Sequence, residues 1–365
     1  MKHGEKKFEL PFHVVKRAQL PLWKSMVIRV AAIVIGLALC SILSTILIKA
    51  NPFEFIKTLF EGSFKTPRRM WKFAKDTAML LCIALAITPA FKMRFWNIGA
   101  EGQTLMGALA AVAVIINLRG TWVPNWLMLV FMFLFAIFVG AIWGGIPALF
   151  KAIWGTNETL FTLMMNYIAT GLVSYYLLVW TPSGSSVLGM LNDGHLPIIG
   201  KNEYLLVIIS VIVLTILLYI YQRYTKQGYE IAVVGESENT AKYIGINVKK
   251  VIVRTMLISG AICGFAGFLI VGGLDHSVTT TSVGGMGFTA IMVSWLAKFN
   301  PATMVATAAF ITFLDQGAAQ LTTNFNVDSA FPSMMVGIVL FFIIGCEFFI
   351  NYQLKLKNAD KGGNK

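Results

Sequence analysis

Charge is scarce in this sequence. Only 13% of its 365 residues are Asp, Glu, Lys or Arg, 57% are hydrophobic, and the mean hydropathy is +0.72. A water-soluble domain of this length does not need so much apolar surface, so a soluble globular fold is excluded. Cysteine is scarce too: Cys40, Cys82, Cys263 and Cys346 each lie inside an apolar run, without CxxC spacing. Buried thiols of this kind behave as small hydrophobes, which argues against both a disulfide framework and a zinc site. No GxxxxGK[ST] occurs, so the chain does not bind ATP as a P-loop protein does. It also lacks HExxH and a GxSxG elbow. No enzyme activity, catalytic residue, metal or cofactor is therefore expected of the chain itself. The charged N-terminal stretch runs to Lys24 and leads into a full-length apolar run, which is not the pattern of a cleavable signal peptide.

What is present is a series of long apolar runs. About 20 apolar residues cross the hydrocarbon core of a bilayer, and ten stretches qualify as candidate spans: 26–49, 76–93, 100–118, 125–149, 158–180, 203–221, 251–273, 287–298, 302–322 and 331–350. The expectation is an all-α polytopic membrane protein of about ten transmembrane helices. The net charge of +13 collects in short loops and tails, as the positive-inside bias requires, rather than on a nucleic-acid-binding face. Lys2, Lys6, Lys7, Lys16, Arg17 and Lys24 place a cytoplasmic tail at 1–25. Ten spans return a second one, 351–365, to the same side with Lys355, Lys357, Lys361 and Lys365. The transmembrane domain is then 26–350, with a cytoplasmic loop at 222–250.

Residues 50–75 run against this rule. They should be external, yet they carry Lys57, Lys65, Arg68, Arg69, Lys72 and Lys75. Phe53, Ile56, Phe60 and Phe64 recur at helical spacing, which suggests an interfacial amphipathic helix on the outer surface.

Two places interrupt the apolar pattern. FWNIGAEGQ (95–103) sets Asn97, Gly99, Glu101, Gly102 and Gln103 between membrane-grade segments. The stretch 287–298 is too short to cross, and is flanked by Gly284, Gly285 and Gly287 on one side and Pro301 on the other. Non-helical backbone at membrane depth is tolerated only against protein or a water-filled cavity, and paired interruptions in the two halves of a chain point to a translocation path. In 222–250, Glu236, Ser237 and Glu238 precede NTAKYIGI, a candidate short helix ending near Gly245. Its apolar residues Ala241, Ile244 and Ile246 require a partner surface.

Four stretches carry a specific resemblance: NIGAEGQTLMGALAA (97–111), GTNETLFTLMMNYIA (155–169), VVGESENTAKYIGINVKKVIVRTMLISGAICGFAGFLIVGG (233–273) and GFTAIMVSWLAKFNPATMVATAAF (287–310). In order and separation the chain resembles the permease subunit of an ABC importer, in the nucleoside and simple-sugar branch of the ribose/branched-chain-amino-acid-type permeases. The resemblance implies that Gly235, Glu236, Ala241, Tyr243, Gly245 and Ile246 form the coupling helix that docks into a cytoplasmic ATPase, although Ser237, Glu238 and Thr240 stand where that family commonly has Asn, Pro and Ala. It further implies a second permease subunit, commonly a paralogue, and an extracellular solute-binding lipoprotein. The turn-rich external loop 181–202 is a candidate docking surface for the latter.

Individual polar residues keep two readings each. Glu101 sits in the first turn of a helix starting near Ala100, where a carboxylate suits the helix dipole, with Asn97 or Gly99 at the cap. Alternatively Asn97, Glu101 and Gln103 face the path and meet ribose hydroxyls or water. Asn166 is mid-span, so its amide either bonds a neighbouring helix or lines the path. Asp315 is the clearest ionisable residue inside an apolar run, and such groups default to function unless they lie near the interface. Nearby aromatics and methionines (Phe95, Trp96, Met164, Met165, Met286, Phe288, Met292, Trp295) suit base stacking, but ordinary packing and interfacial belts suit them as well. His195 and His276 read as isolated, solvated loop residues. A secondary transporter driven by an ion gradient through Glu101 and Asp315 is the rival function, and it would need no coupling loop.

Overall fold

The computed structural model describes residues 12–17, 21–48, 51–181, 188–200, 202–326, 328 and 330–356. The basic residues Lys2, Lys6, Lys7, Lys357, Lys361 and Lys365, and part of the loop 181–202 (182–187 and 201), lie outside them. In chain order the elements are β1 (Phe12–Lys16), α1 (Leu22–Ile48), α2 (Pro52–Phe64), α3 (Pro67–Lys92), α4 (Ala100–Leu118), α5 (Asn125–Trp154), α6 (Glu158–Trp180) and α7 (Leu205–Tyr224). There follow α8 (Lys226–Glu236), α9 (Glu238–Tyr243), α10 (Val248–Ile270) with a π-helical turn (Val271–Asp275), α11 (Met286–Leu296), α12 (Pro301–Phe325), α13 (Ala330–Asn351) and β2 (Tyr352–Leu356).

The protein is a polytopic helical membrane protein. Each of the ten expected stretches contains a helix over most of its described residues, but among the described residues eight helices are long and apolar enough to cross a membrane. The count falls short for two reasons. Helix α11 has only 11 residues, and α12 is diluted by Thr, Asp and Gln. Polar caps set the helix starts. Asn157 Oδ1 accepts the N–H groups of Thr159 and Leu160 to open α6, and Asn247 Oδ1 accepts that of Lys250 to open α10. Each thereby satisfies a donor that has no partner within the helix.

The chain forms two compact units, Met1–Lys65 with Phe313–Lys365, and Thr66–Thr312. In the smaller unit α1 packs on α13, and Arg29 Nε donates to Glu347 Oε1 at 2.9 Å. Helix α2 buries Phe55 and Leu59 and leaves Phe53, Ile56, Phe60 and Phe64 exposed, so the four residues noted at helical spacing do lie on one helix, with their side chains outward. It ends at Phe64, however, and Arg68, Arg69, Lys72 and Lys75 belong to the opening turns of α3. The reason is local: Thr66 Oγ1 accepts from Arg69 N at 3.3 Å and Pro67 occupies the first helical position, so the helix starts nine residues earlier than the apolar pattern does. The chain is also not wholly helical. Strands β1 and β2 pair antiparallel, Phe12 opposite Leu356 and Lys16 opposite Tyr352.

The larger unit is built on α3, α4, α5 and α10. Small residues let these backbones touch, as in membrane helix packing generally. A Cβ added at Gly107 would stand 2.5 Å from the Cα of Gly264, and one at Gly264 would overlap the carbonyl oxygen of Ala136.

Candidate functional site

The first interruption begins where α3 stops. Arg94 takes φ +61 and the Phe95 N–H turns back to the Ala90 carbonyl at 2.9 Å, a helix-closing pattern. Helix α11 ends the same way. Lys298 and Phe299 have positive φ, and Phe299 N–H reaches Ser294 O at 2.9 Å. Between the two ends Trp96 and Trp295 lie 5.4 Å apart, both about half exposed.

The segment that follows, 96–99, is held by side-chain amides. Asn97 and Gln103 are buried and pair reciprocally. Gln103 Nε2 donates to Asn97 Oδ1 at 3.1 Å, and Asn97 Nδ2 donates to Gln103 Oε1 and to Ser259 Oγ, each at 3.3 Å. Asn97 Oδ1 also accepts the Gly99 N–H at 3.0 Å. Asn166 serves the same segment from α6: its Oδ1 accepts from Gly102 N at 2.8 Å and its Nδ2 donates to Ile98 O at 2.9 Å. Thr162, one turn earlier, accepts the Ile98 N–H at 3.2 Å. Backbone removed from lipid needs such partners, since each unmet group costs several kcal/mol.

Glu101 joins the two interruptions. Its Oε1 accepts the N–H of Gly285 and its Oε2 that of Gly287, both at 2.8 Å. It therefore caps the N-terminus of α11, not that of its own helix, whose cap position is Gly99 with no side-chain bond. A carboxylate at that end meets free N–H groups and the positive pole of the helix dipole. Gly287 is required there, because a Cβ would stand 2.6 Å from Glu101 N.

The structure thus brings Asn97, Glu101, Gln103 and Asn166 together, with Thr162 and Ser259, which the sequence reading missed for want of any local signal. Asp315 belongs to the smaller unit, where it is exposed on α12. The two histidines are not isolated. Their rings stack at 3.9 Å, within 1° of parallel, while Leu191 N donates to His276 O at 2.9 Å.

The segment 222–250 departs from the expected single helix, Glu236 to Ile246. Glu236 ends α8, and Ser237 breaks the chain because its Oγ accepts from Thr240 N at 3.2 Å and so starts a new helix, α9. Gly245, at φ +82, follows its end. Ala241 is fully buried with Ile231, Val234, Met93 and Val248, and Ile246 packs against the same cluster. Tyr243 is 95% exposed and Ile244 53%. At the base, Gly235 lies directly on the carbonyl of Lys92, and Glu230 pairs with Arg254 at 2.9 Å to tie α8 to α10.

Residues 69–344 match the family described as branched-chain amino acid transport system / permease component. The glucose ABC transporter permease protein of Haloferax volcanii is 26% identical, covering 95% of this chain and 94% of that one. The guanosine ABC transporter permease protein of Bacillus subtilis is 29% identical, over 76% and 81%. The nucleoside ABC transporter permease protein of Lactococcus lactis subsp. cremoris is 25% identical, over 93% and 95%. The chain belongs to this permease family. It is a permease subunit of an ABC importer, a transport component that works with an ATPase and other ABC components.

Proposed function

We propose that this permease imports nucleosides, with a simple sugar as the alternative solute. The nucleoside reading is supported by the guanosine and nucleoside permeases among its relatives, and the sugar reading by the glucose permease that matches nearly end to end. Its path is bounded by the paired interruptions that Asn97, Glu101, Gln103 and Asn166 hold, with the half-exposed Trp96 and Trp295 presenting flat faces to a base. Asp315 is a separate candidate within the smaller unit. The remaining partners are a second, paralogous permease and an extracellular solute-binding lipoprotein that docks on 181–202. Both termini lie in the cytoplasm, in keeping with the basic flanks, and residues 50–75 lie at the outer interface.

Coupling runs through α9. One observation carries this reading: a short helix anchored in the core by Ala241 presents an otherwise uncovered tip, Tyr243 and Ile244. Gly235, Glu236, Gly245 and Ile246 form its base and ends. An ATPase that grips the tip moves α8, and α8 bears on the end of α3 where the first interruption starts. Reconstitution with the ATPase and the binding protein tests this. Uptake of labelled nucleoside should be competed by uridine and adenosine more strongly than by ribose, should require ATP, and should persist when ion gradients are collapsed. Uptake sustained by a gradient without ATP would establish the rival mechanism.

A further inference from the structure

Four aromatic rings form a closed circuit where α3 and α11 end. Between ring centroids, Phe91 lies 5.6 Å from Trp96, Trp96 5.4 Å from Trp295, Trp295 6.3 Å from Phe299, and Phe299 returns to Phe91 at 6.5 Å. Each spacing falls in the range of a favourable ring pair. Contacts this close leave no space for a solute between neighbouring rings. An apolar constriction of this kind also blocks passage by excluding water.

The chain on either side of the circuit is jointed. Just before it the two helices are pinned together: Thr88 Oγ1 and Ser294 Oγ lie 2.7 Å apart, and each is within bonding distance of the Ala84 carbonyl oxygen, at 2.7 and 3.0 Å. Pro89 follows Thr88 inside α3. It has no N–H for the carbonyl four residues back, so the helix can bend there. Beyond Pro89 the chain alternates between two attachments. Ala90, Met93 and Phe95 are buried in the cluster that holds Ala241 of α9, whereas Phe91 and Trp96 carry rings of the circuit. We propose that Phe91, Trp96, Trp295 and Phe299 are the gate that closes the path on the side of α9. A stroke at α9 opens it by swinging the end of α3 about Pro89 while the Thr88–Ser294 pin holds. The gate rests on the path and the coupling route proposed above.

Leakage from proteoliposomes holding the permease with its ATPase tests this, with labelled mannitol as the probe and no ATP present. Wild-type vesicles should lose mannitol no faster than vesicles without protein. Trp96→Ala with Trp295→Ala should raise the rate at least about tenfold, because the constriction is then wide enough to wet. Trp96→Phe with Trp295→Phe should restore most of the seal, since a smaller ring still pairs with its neighbours. Trp122→Ala with Trp126→Ala, an equal loss of exposed indoles beside the far end of α4, should not leak. If the alanine pair does not fold, Trp96→Cys with Trp295→Cys, bridged by a reducible bis-thiosulfonate, takes its place. Bridging should abolish ATP-driven uptake and reduction should restore it, the four native cysteines being buried. Tight vesicles from a folded alanine pair, equal leakage from the Trp122 and Trp126 control, or full uptake with the bridge in place would overturn the gate. A raised KM for uridine without any leak would also overturn it and leave the rings as a binding surface. Mannitol is blind to the identity of the transported solute. A wild type that fails to import uridine therefore removes the nucleoside reading and leaves the leak measurement standing.

Discussion

Glu101 and Gly287 meet across 186 residues of chain, carboxylate oxygen to backbone N–H at 2.8 Å, with no room at Gly287 for a Cβ. One contact thus fixes the start of α4 against the start of the half-helix α11. Glu101→Ala removes both capping bonds, and each hydrogen bond to a charged group is worth about 1.5–3 kcal/mol. The variant should unfold earlier in detergent and lose most uptake. Glu101→Gln keeps one good acceptor and should fall between. An alanine variant as stable and active as the wild type would remove the clamp.

The proposed coupling helix α9 separates into parts with opposite expected outcomes. Tyr243→Ala truncates an exposed side chain, so the unfolding midpoint should stay within about 0.5 kcal/mol of wild type while ATP-dependent uptake falls at least tenfold. Ala241→Leu overpacks a filled cluster and should cost about 1–3 kcal/mol, so it is a folding variant and not a clean uncoupling one. Paired measurements of ATP hydrolysis and uptake check the first. Full uptake by Tyr243→Ala would remove the tip from the mechanism.

Gly264 and Gly171 make a matched pair. A side chain at Gly264 collides with the Ala136 carbonyl, whereas nothing lies within 4 Å of Gly171. Gly264→Leu should destabilise by about 3 kcal/mol or more and reduce the yield of monodisperse protein. Gly171→Leu should do neither, as size-exclusion profiles and melting curves would report.

The stacked histidines predict a pH dependence. Burial, with His195 alongside, holds the His276 imidazole below its ordinary value of 6.5, against the opposing pull of the Val271 carbonyl, Glu203 and Asp275. The unfolded chain then binds more protons, so stability rises with pH across this window. The contribution is complete above 6.5 and is lost as pH falls through the lowered value. Melting temperature measured from pH 7.5 to 5 should drop, and His276→Gln should flatten the drop. An unchanged slope would show that His276 does not titrate there.

Much of the architecture was legible along the chain. The bounds of α4 and α6 coincide with the expected 100–118 and 158–180, because polar residues (Asn157 before α6, Arg119 after α4) sit at the edges of the apolar runs. The start of α3 was not legible, since a Thr–Pro cap outranks hydropathy in deciding where a helix begins. The paired interruptions were visible as glycine and polar breaks. What the polar residues do there was not, because the bonds of Asn166 reach residues 64 and 68 positions away. For Glu101 the first-turn position suggested a cap for its own helix, whereas its carboxylate bonds lie 184 and 186 positions away, at the start of α11. The histidine stack and the strand pair β1–β2 likewise exist only between distant segments.

The contact of Gly235 with the Lys92 carbonyl has a mechanical consequence. Two surfaces separated by side chains can absorb a displacement by changing rotamers, but two backbones in contact have nothing to compress. On the proposed coupling route, a stroke arriving at α8 would be passed to the last residue of α3, one peptide before the turn at Met93 and Arg94. Such a joint would have no backlash, and on that route the distance travelled by the motor would set how far the broken wall is displaced.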